Sequence, residues 1–539
     1  MTFDKCPWLE SIPSLSLSNE AKVEIKNCKN LKSIAYSSLQ RLIIEECEEL
    51  VQVEVAPVAM SMPNVDGLSF LHKIEICNCR KLESIGGDLS TATCLKELTI
   101  RGCRGLKSFP NLHGLSSLQK IEISLCGELK SIGGDLSTAT CLKELTIDGC
   151  DGLMSFPNLH GLSSLQKIEI SFCGELKSIG GNLSTATCLK ELTINECCGL
   201  MSFPNLHGLS SLQKIKIFDC HKLESIGGDL STATCLRELT IMWGNGLKSF
   251  PNLHVLSSLQ KIKIWFCNGL TSFPKLSSLQ KIEIRGCGEL KSIEEEDLST
   301  AACLKELSIT SCNGLMSFSS LLRLPSLQTL CIDDCGELKR LPSGLPSCTA
   351  LEKLDISYCR NLISIPDDLR RSWSIPNPAC LARLKELTIG CFSTELEEFP
   401  DLGFIGSHLE QLTLIAWGEP RERLLDQIQH LTALRFLNIS DFDVLEALPN
   451  WFGNLSSLQS LSISNCKSLR NMKAIRCLSK LEKLDIDGCP ELKELKERCA
   501  RGSDSEWKYI SHIPNIKIDS EEIQRNGAPI EVSSAFNYI

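Results

Sequence analysis

Aromatic side chains make up only 5% of the 539 residues, so any place where they gather stands out from the rest of the chain. No run approaches the ~20 uninterrupted apolar residues of a membrane-spanning helix, and the first residues, MTFDKCPWLESIP, hold no apolar stretch of signal-peptide length. These absences predict no membrane association and a cytoplasmic, intracellular protein. Clustered Lys and Arg are missing too, against a net charge of −10. Phosphate backbones are bound by grouped cations, so a nucleic-acid partner is not expected and a protein partner is.

Chemistry-bearing motifs are equally scarce. The G-x-x-x-x-G-K-[ST] phosphate loop does not occur, and the Gly-Gly-Asp turns at Gly86, Gly133 and Gly227 lack its Lys and following helix. No C-x-x-C pair supports a metal site. His113, His160, His207 and His254 recur every 47 residues in an N-L-H turn, which places them two turns apart at ~9.6 Å, too far to share an ion. No Ser/His/Asp, Cys/His or paired-carboxylate arrangement rises above the repeat. The expectation is a non-enzyme without cofactor, metal or catalytic residues.

What the chain has instead is one phrase, repeated. Leu95 to Leu118 reads LKELTIRGCRGLKSFPNLHGLSSL, whose first half has the form L-x-x-L-x-I-x-x-C-x-x-L. That is the leucine-rich-repeat signature. Alternation at Leu98 and Ile100 predicts a short strand with one buried face, and Pro110 to Ser117 returns the chain for the next one. A single turn cannot fold alone, because ordering each residue costs ~1 to 2 kcal/mol and its flanks stay wet. Stacking removes that exposure, so stability becomes a sum over neighbours. The fold class is therefore an α/β repeat: a leucine-rich-repeat solenoid, horseshoe or open superhelix, with a parallel β-sheet on the concave face and a mostly irregular or 3-10 convex side.

The thirty cysteines keep time with the repeat. Most occupy the slot just after the strand, where a small side chain turns inward, and they form a buried ladder with rungs ~4.8 Å apart. In an intracellular protein they are expected to be free thiols. Slots held by Gly244, Phe392, Trp417 and Phe442 complete a count of about 21 turns, an arc of roughly 100 Å. The predicted layout is a continuous solenoid over 1–519 with loop insertions near 51–70 and 366–380, then a loose C-terminal tail over 520–539. Arg421 to His430 has the periodicity of a short helix, and Trp507, Ile510, Ile513, Pro514, Ile516 and Ile518 are expected to cap the last turn. Thr2 to Pro13 look like the end of a repeat whose beginning is missing, which points to a fragment or a degenerate copy.

The pattern L-x-x-L-x-I-x-x-C-x-x-L-x-S-F/I-P and the closing Trp507-Lys-Tyr-Ile-Ser-His-Ile-Pro-Asn-Ile516 resemble the C-terminal leucine-rich-repeat region of plant coiled-coil nucleotide-binding disease-resistance proteins. The resemblance covers nearly the whole chain, without the coiled-coil and nucleotide-binding regions. It implies intracellular immune recognition: sensing a pathogen effector or a guarded host protein, and autoinhibition of a nucleotide-binding domain supplied by a longer gene product. The alternative is a free-standing inhibitor or decoy that grips another intracellular protein.

Four tandem copies of a 47-residue double repeat run from Gly86 to Phe273 and supply an internal comparison. Their frame hardly changes, while the two positions before the Cys slot do: Arg101, Asp148, Asn195, Met242 and Gly102, Gly149, Glu196, Trp243 in one turn, Ser124, Ser171, Phe218, Trp265 and Leu125, Phe172, Asp219, Phe266 in the other. Read as exposed strand positions, these bring Phe172, Phe218, Met242, Trp243, Trp265 and Phe266 together on the concave face as a candidate protein-binding patch.

Overall fold

The computed structural model describes residues 1–16, 21–55, 68–87, 89–180, 183–227, 230–250, 253, 255–273, 279–294, 298, 300–374, 381–396, 408–416, 426, 428–492 and 507–529. Two compact units, Met1–Leu279 and Gln280–Ile539, make up the chain. Each is a coil of parallel strands that pair residue for residue with the strand one turn on.

In the first unit the five-residue strand is the constant element. Glu97–Arg101 pairs with Lys120–Ser124, which pairs with Glu144–Asp148, and the same register continues to Lys261–Trp265. Strand side chains alternate because successive residues of a strand face opposite ways. Ile121 and Ile123 are fully buried while Lys120 and Glu122 face outward. Behind the strand, the slot cysteines Cys103, Cys126, Cys150, Cys173, Cys197, Cys220 and Cys267 are all buried and carry free thiols. Each thiol points back at the carbonyl two residues earlier, as Cys220 does at 3.3 Å from Phe218. Burial pushes the thiols of Cys220 and Cys267 up to about 12 and about 11.

The side away from the main sheet is not uniformly irregular. Ser11–Ser16, Ser33–Ser38, Gln52–Val55 and Ser84–Gly86 form a second parallel sheet, so the expected loop near 51–70 begins as a strand. Alternation of Ile34, Tyr36 and Val53 into the interior explains it. Residues 56–67, including Pro57 and Pro63, lie outside the described residues. Later copies replace this second sheet with isolated bridges such as Ser131 to Ser155 and Ser178 to Ser202.

The second unit repeats the design from Lys281–Arg285 to Lys483–Asp487. Phe392 and Phe442 fill the cysteine slot and are buried there; Trp417 lies outside the described residues. The loop expected near 366–380 opens instead as a helix, Asp367–Ser374, following Pro366 and carrying two acids in its first turn, a helix-starting arrangement. Asp368 accepts a hydrogen bond from the Gly344 amide at 2.6 Å. Of the helix expected over Arg421 to His430, residues 421–425 and 427 lie outside the described residues, and Ile428–His430 is 3-10.

The end of the chain departs from a loose tail. Asn515–Ile518 adds a parallel strand to Lys483–Asp487, then Glu521–Arg525 folds back antiparallel on it and Ala528–Pro529 follows. Gln524 is buried and donates to the carbonyls of Ser511 and Ile513. E-E-I-Q-R carries no apolar alternation, with the neighbours Ile523 and Gln524 both buried; a hairpin covers a sheet edge that would otherwise expose unpaired backbone groups. Residues 530–539 lie outside the described residues.

Candidate protein-recognition surface

The outward face of the first unit's sheet can be read in rows. The first runs Lys73, Glu97, Lys120, Glu144, Lys167, Glu191, Lys214, Glu238, Lys261. Neighbouring charges of this row meet, as Lys73 does Glu97 at 3.1 Å and Lys214 does Glu238 at 3.4 Å. A row of alternating sign neutralises itself and offers a partner little net attraction. The second row has Glu75, Glu122 and Glu169 in every other turn, then Lys216 and Lys263 at the equivalent positions. Burial works against the Glu122 carboxylate, yet Arg101 and Lys120 hold it below its ordinary range.

The third row ends the strands and holds Arg101, Ser124, Asp148, Ser171, Asn195, Phe218, Met242 and Trp265. Phe218 is the register partner of Met242, and Met242 of Trp265. The Lys263 ammonium sits 4.9 Å from the centre of the Trp265 ring, a cation–π contact. All three apolar side chains are half-buried.

The fourth row is not part of the strand. Gly102, Leu125, Gly149, Phe172, Glu196, Asp219, Trp243 and Phe266 all have positive φ, between 50° and 64°. Phe172, Trp243 and Phe266 therefore stand one residue beyond the strand, in the left-handed region, rather than on its face as the alternation suggested. Their amides still continue the ladder: Trp243 N–H donates to the Trp265 carbonyl at 2.8 Å. A left-handed residue other than glycine costs roughly 1 to 2 kcal/mol, and the turn accepts it because this hydrogen bond and the slot cysteine behind it fix the corner. Glycine, Asn and Asp at this position in many turns were the sequence signal for the bend.

Five of the six candidate residues come together. Trp243 stacks on Phe266, with centroids 5.9 Å apart and planes 8° from parallel, beside the Phe218, Met242 and Trp265 row. Phe172 stands apart, three turns or ~14 Å along the coil from Trp243, with Glu196 and Asp219 between them. Trp243 is 46% exposed and Phe172 43% exposed, so neither fills the space that Gly244 leaves in the cysteine slot. Lys216 and Lys263 belong to the patch and were missed; comparing the four copies at that position reveals them.

The histidine row is exposed at His113, His160 and His207, each amide capped by the Asn two residues before at 3.0 Å. His254 lies outside the described residues. No helix among the described residues is long and apolar enough to cross a membrane.

Two family models match the chain: plant disease-resistance protein RPS2-like leucine-rich repeats over residues 180–313 and R13L1/DRL21 leucine-rich repeats over residues 407–489. Among curated Arabidopsis thaliana proteins, a putative disease-resistance protein is 25% identical over 194 residues, 36% of this chain and 15% of that protein. The disease-resistance protein RPS4B is 29% identical, over 32% of this chain and 13% of its own length, and RPP4 is 32% identical, over 35% and 15%. This chain thus spans well under a quarter of each relative. Among solved structures, the complex of TLR13 with single-stranded RNA aligns over 96% of this chain and 83% of its own, at 14% identity and a TM-score of 0.41. A leucine-rich-repeat protein of Leptospira interrogans aligns over 86% and 99%, at 17% identity and a TM-score of 0.38. Its slot cysteines and strand register make the chain a leucine-rich-repeat solenoid, and its repeats over 180–313 and 407–489 are similar to those of plant disease-resistance proteins.

Proposed function

We propose that this chain recognises a protein in plant immunity, binding an acidic segment with apolar residues through Phe218, Met242, Trp243, Trp265 and Phe266 flanked by Lys216 and Lys263. The observation that carries the reading is a concerted change. Where the first two copies have K-I-E-I-S, at Lys120–Ser124 and Lys167–Ser171, the next two have K-I-K-I-F and K-I-K-I-W, at Lys214–Phe218 and Lys261–Trp265. Independent drift gives scattered changes; here an acid becomes a base and a buried serine becomes a half-buried aromatic ring in the same two strands. Aromatic anchors beside a cation supply contact area and long-range attraction together. In a longer product, the same face would sense an effector or a guarded host protein, or hold a nucleotide-binding domain inactive, as the resemblance of the repeat pattern and closing segment implies.

The test is a displayed peptide library selected on this chain and counter-selected on the double variant Lys263→Glu/Trp265→Ser, which restores the first copy's residues. Selected ligands should be acidic with bulky apolar residues, should weaken with salt, and should lose about 2 kcal/mol or more on Trp243→Ala. Ligands that bind the double variant equally well would remove the patch from recognition.

A further inference from the structure

Beside the aromatic patch, and outside it, three side chains of metal-ligating type meet. Cys198 Sγ, an Asp219 carboxylate oxygen and a His221 ring nitrogen all lie within 4.8 Å of one another. Two successive corners of the coil bring them together. Cys198 follows the slot cysteine Cys197; Asp219 is the left-handed residue of the next turn, with φ 51°; His221 follows the slot cysteine Cys220. Ladder hydrogen bonds fix both corners, from Glu196 N–H to Phe218 O and from Asp219 N–H to Met242 O, each 2.9 Å.

The polar contacts inside the cluster are poor as hydrogen bonds, and the three ligand-type atoms already lie close together. The Cys198 thiol reaches only the Asp219 backbone carbonyl, at 3.8 Å. His221 Nε2 stands 2.5 Å from Asp219 Oδ1, yet that buried oxygen takes part in no well-aligned hydrogen bond. Zinc bonds of ~2.0 to ~2.3 Å place tetrahedral ligand atoms roughly 3.3 to 3.8 Å apart, which these side chains reach by small rotations. Cys198 and His221 are exposed and Asp219 is half-buried, so an ion has a route in.

The tandem copies show how particular the cluster is. Cys198 replaces Arg104, Asp151 and Asn245; Asp219 replaces Leu125, Phe172 and Phe266; His221 replaces Gly127, Gly174 and Asn268. Outside this copy the three positions never hold more than one ligand-type residue, Asp151. In this copy alone all three are of ligand type, on a frame that otherwise barely changes. We propose that Cys198, Asp219 and His221 form a zinc-binding site with a fourth position open to water. The sulfur, nitrogen and oxygen donors suit zinc rather than magnesium or calcium, which take oxygen. On binding, the Zn–S bond forms as the Cys198 S–H bond breaks, and its proton leaves to solvent.

Cobalt(II) reports the site directly, because a thiolate ligand gives a sulfur-to-cobalt charge-transfer absorption. The full chain, reduced with a non-chelating phosphine and freed of metal, should bind one equivalent with that absorption, and zinc should displace it. Cys198→Ser should abolish the absorption and His221→Ala should weaken binding at least tenfold, while Cys188→Ser, at another exposed thiol, changes neither. Circular dichroism checks that each variant stays folded. Absence of saturable binding, or a charge-transfer absorption that survives Cys198→Ser, would overturn the site.

Discussion

The first and fourth tandem copies have the same backbone and different faces. Ile121 and Ile123 in one, and Ile262 and Ile264 in the other, are equally buried, and both copies join their neighbours in the same register. Outward, the first shows Glu122 and Leu125 beside a buried Ser124, with Glu122 clasped by Arg101; the fourth shows Lys263, Trp265 and Phe266, with Phe266 clasped by Trp243. Packing and recognition are thus divided residue by residue along one strand. The interior positions answer to the neighbouring turns and the outward ones are free to answer to something else.

The largest expected effect tests whether the frames are equivalent. Ile121→Ala and Ile262→Ala should each destabilise by ~2 to 5 kcal/mol, and by similar amounts, since both sites are fully buried. Denaturant unfolding measures it; a fourth copy much less sensitive than the first would mean that the recognition face had loosened its own core.

A smaller effect separates turns by their slots. Cys220 and Cys267 have thiols raised from 9.0 to about 12 and about 11, chiefly by burial, whereas the other turn of the fourth copy has Gly244 and nothing to ionise. A raised thiol pKa means that the unfolded chain ionises first as pH climbs. The stability held by these neutral thiols is complete below pH 9 and falls, by ~1.4 kcal/mol per pH unit for each thiol, until the folded values are reached. Cys267→Ala should flatten that alkaline decline; an unchanged slope would show that buried thiols do not set it.

The smallest concerns the corner residue. Leu125→Gly should stabilise by up to ~1 kcal/mol, because glycine adopts positive φ without strain. Trp243→Gly relieves the same strain but loses the ring stack, worth ~0.5 to 1.5 kcal/mol, so its net change should be near zero or unfavourable. Thermal unfolding of the two variants, compared directly, checks the difference; equal gains would mean that the stack contributes nothing.

Much of this was legible in the sequence. L-x-x-L-x-I-x-x-C gives strand, buried face and cysteine slot because each is a local requirement repeated at every turn. The corner after the strand was misread for Phe172, Trp243 and Phe266, since alternation has no term for a left-handed residue; the glycines and asparagines sharing that position carried the information. The closing hairpin at Glu521–Arg525 occurs once, so no repetition amplified its pattern; the strands of the second sheet do recur, at Ser33–Ser38, Gln52–Val55 and Ser84–Gly86, but on the side where irregular turns were expected. Cys198, Asp219 and His221 escaped notice because metal spacing was sought in C-x-x-C pairs and in the histidine row, while the fold brings these three together from adjacent turns.

The ladder bond that Phe172 N–H makes to Asn195, at 2.9 Å, is the one that Leu125 N–H makes to Asp148, at 2.7 Å, and Asp219 N–H makes to Met242, at 2.9 Å. Every junction between copies is thus interchangeable. Excising 47 residues, Gly133 to Ile179 for instance, would set Lys120–Ser124 beside Glu191–Asn195 with each donor meeting an identical acceptor, and inserting a copy would do the reverse. Recombination between copies can therefore lengthen, shorten or reorder the outward face in whole units while the backbone ladder stays paired. New combinations of face residues become accessible in one genetic event instead of many.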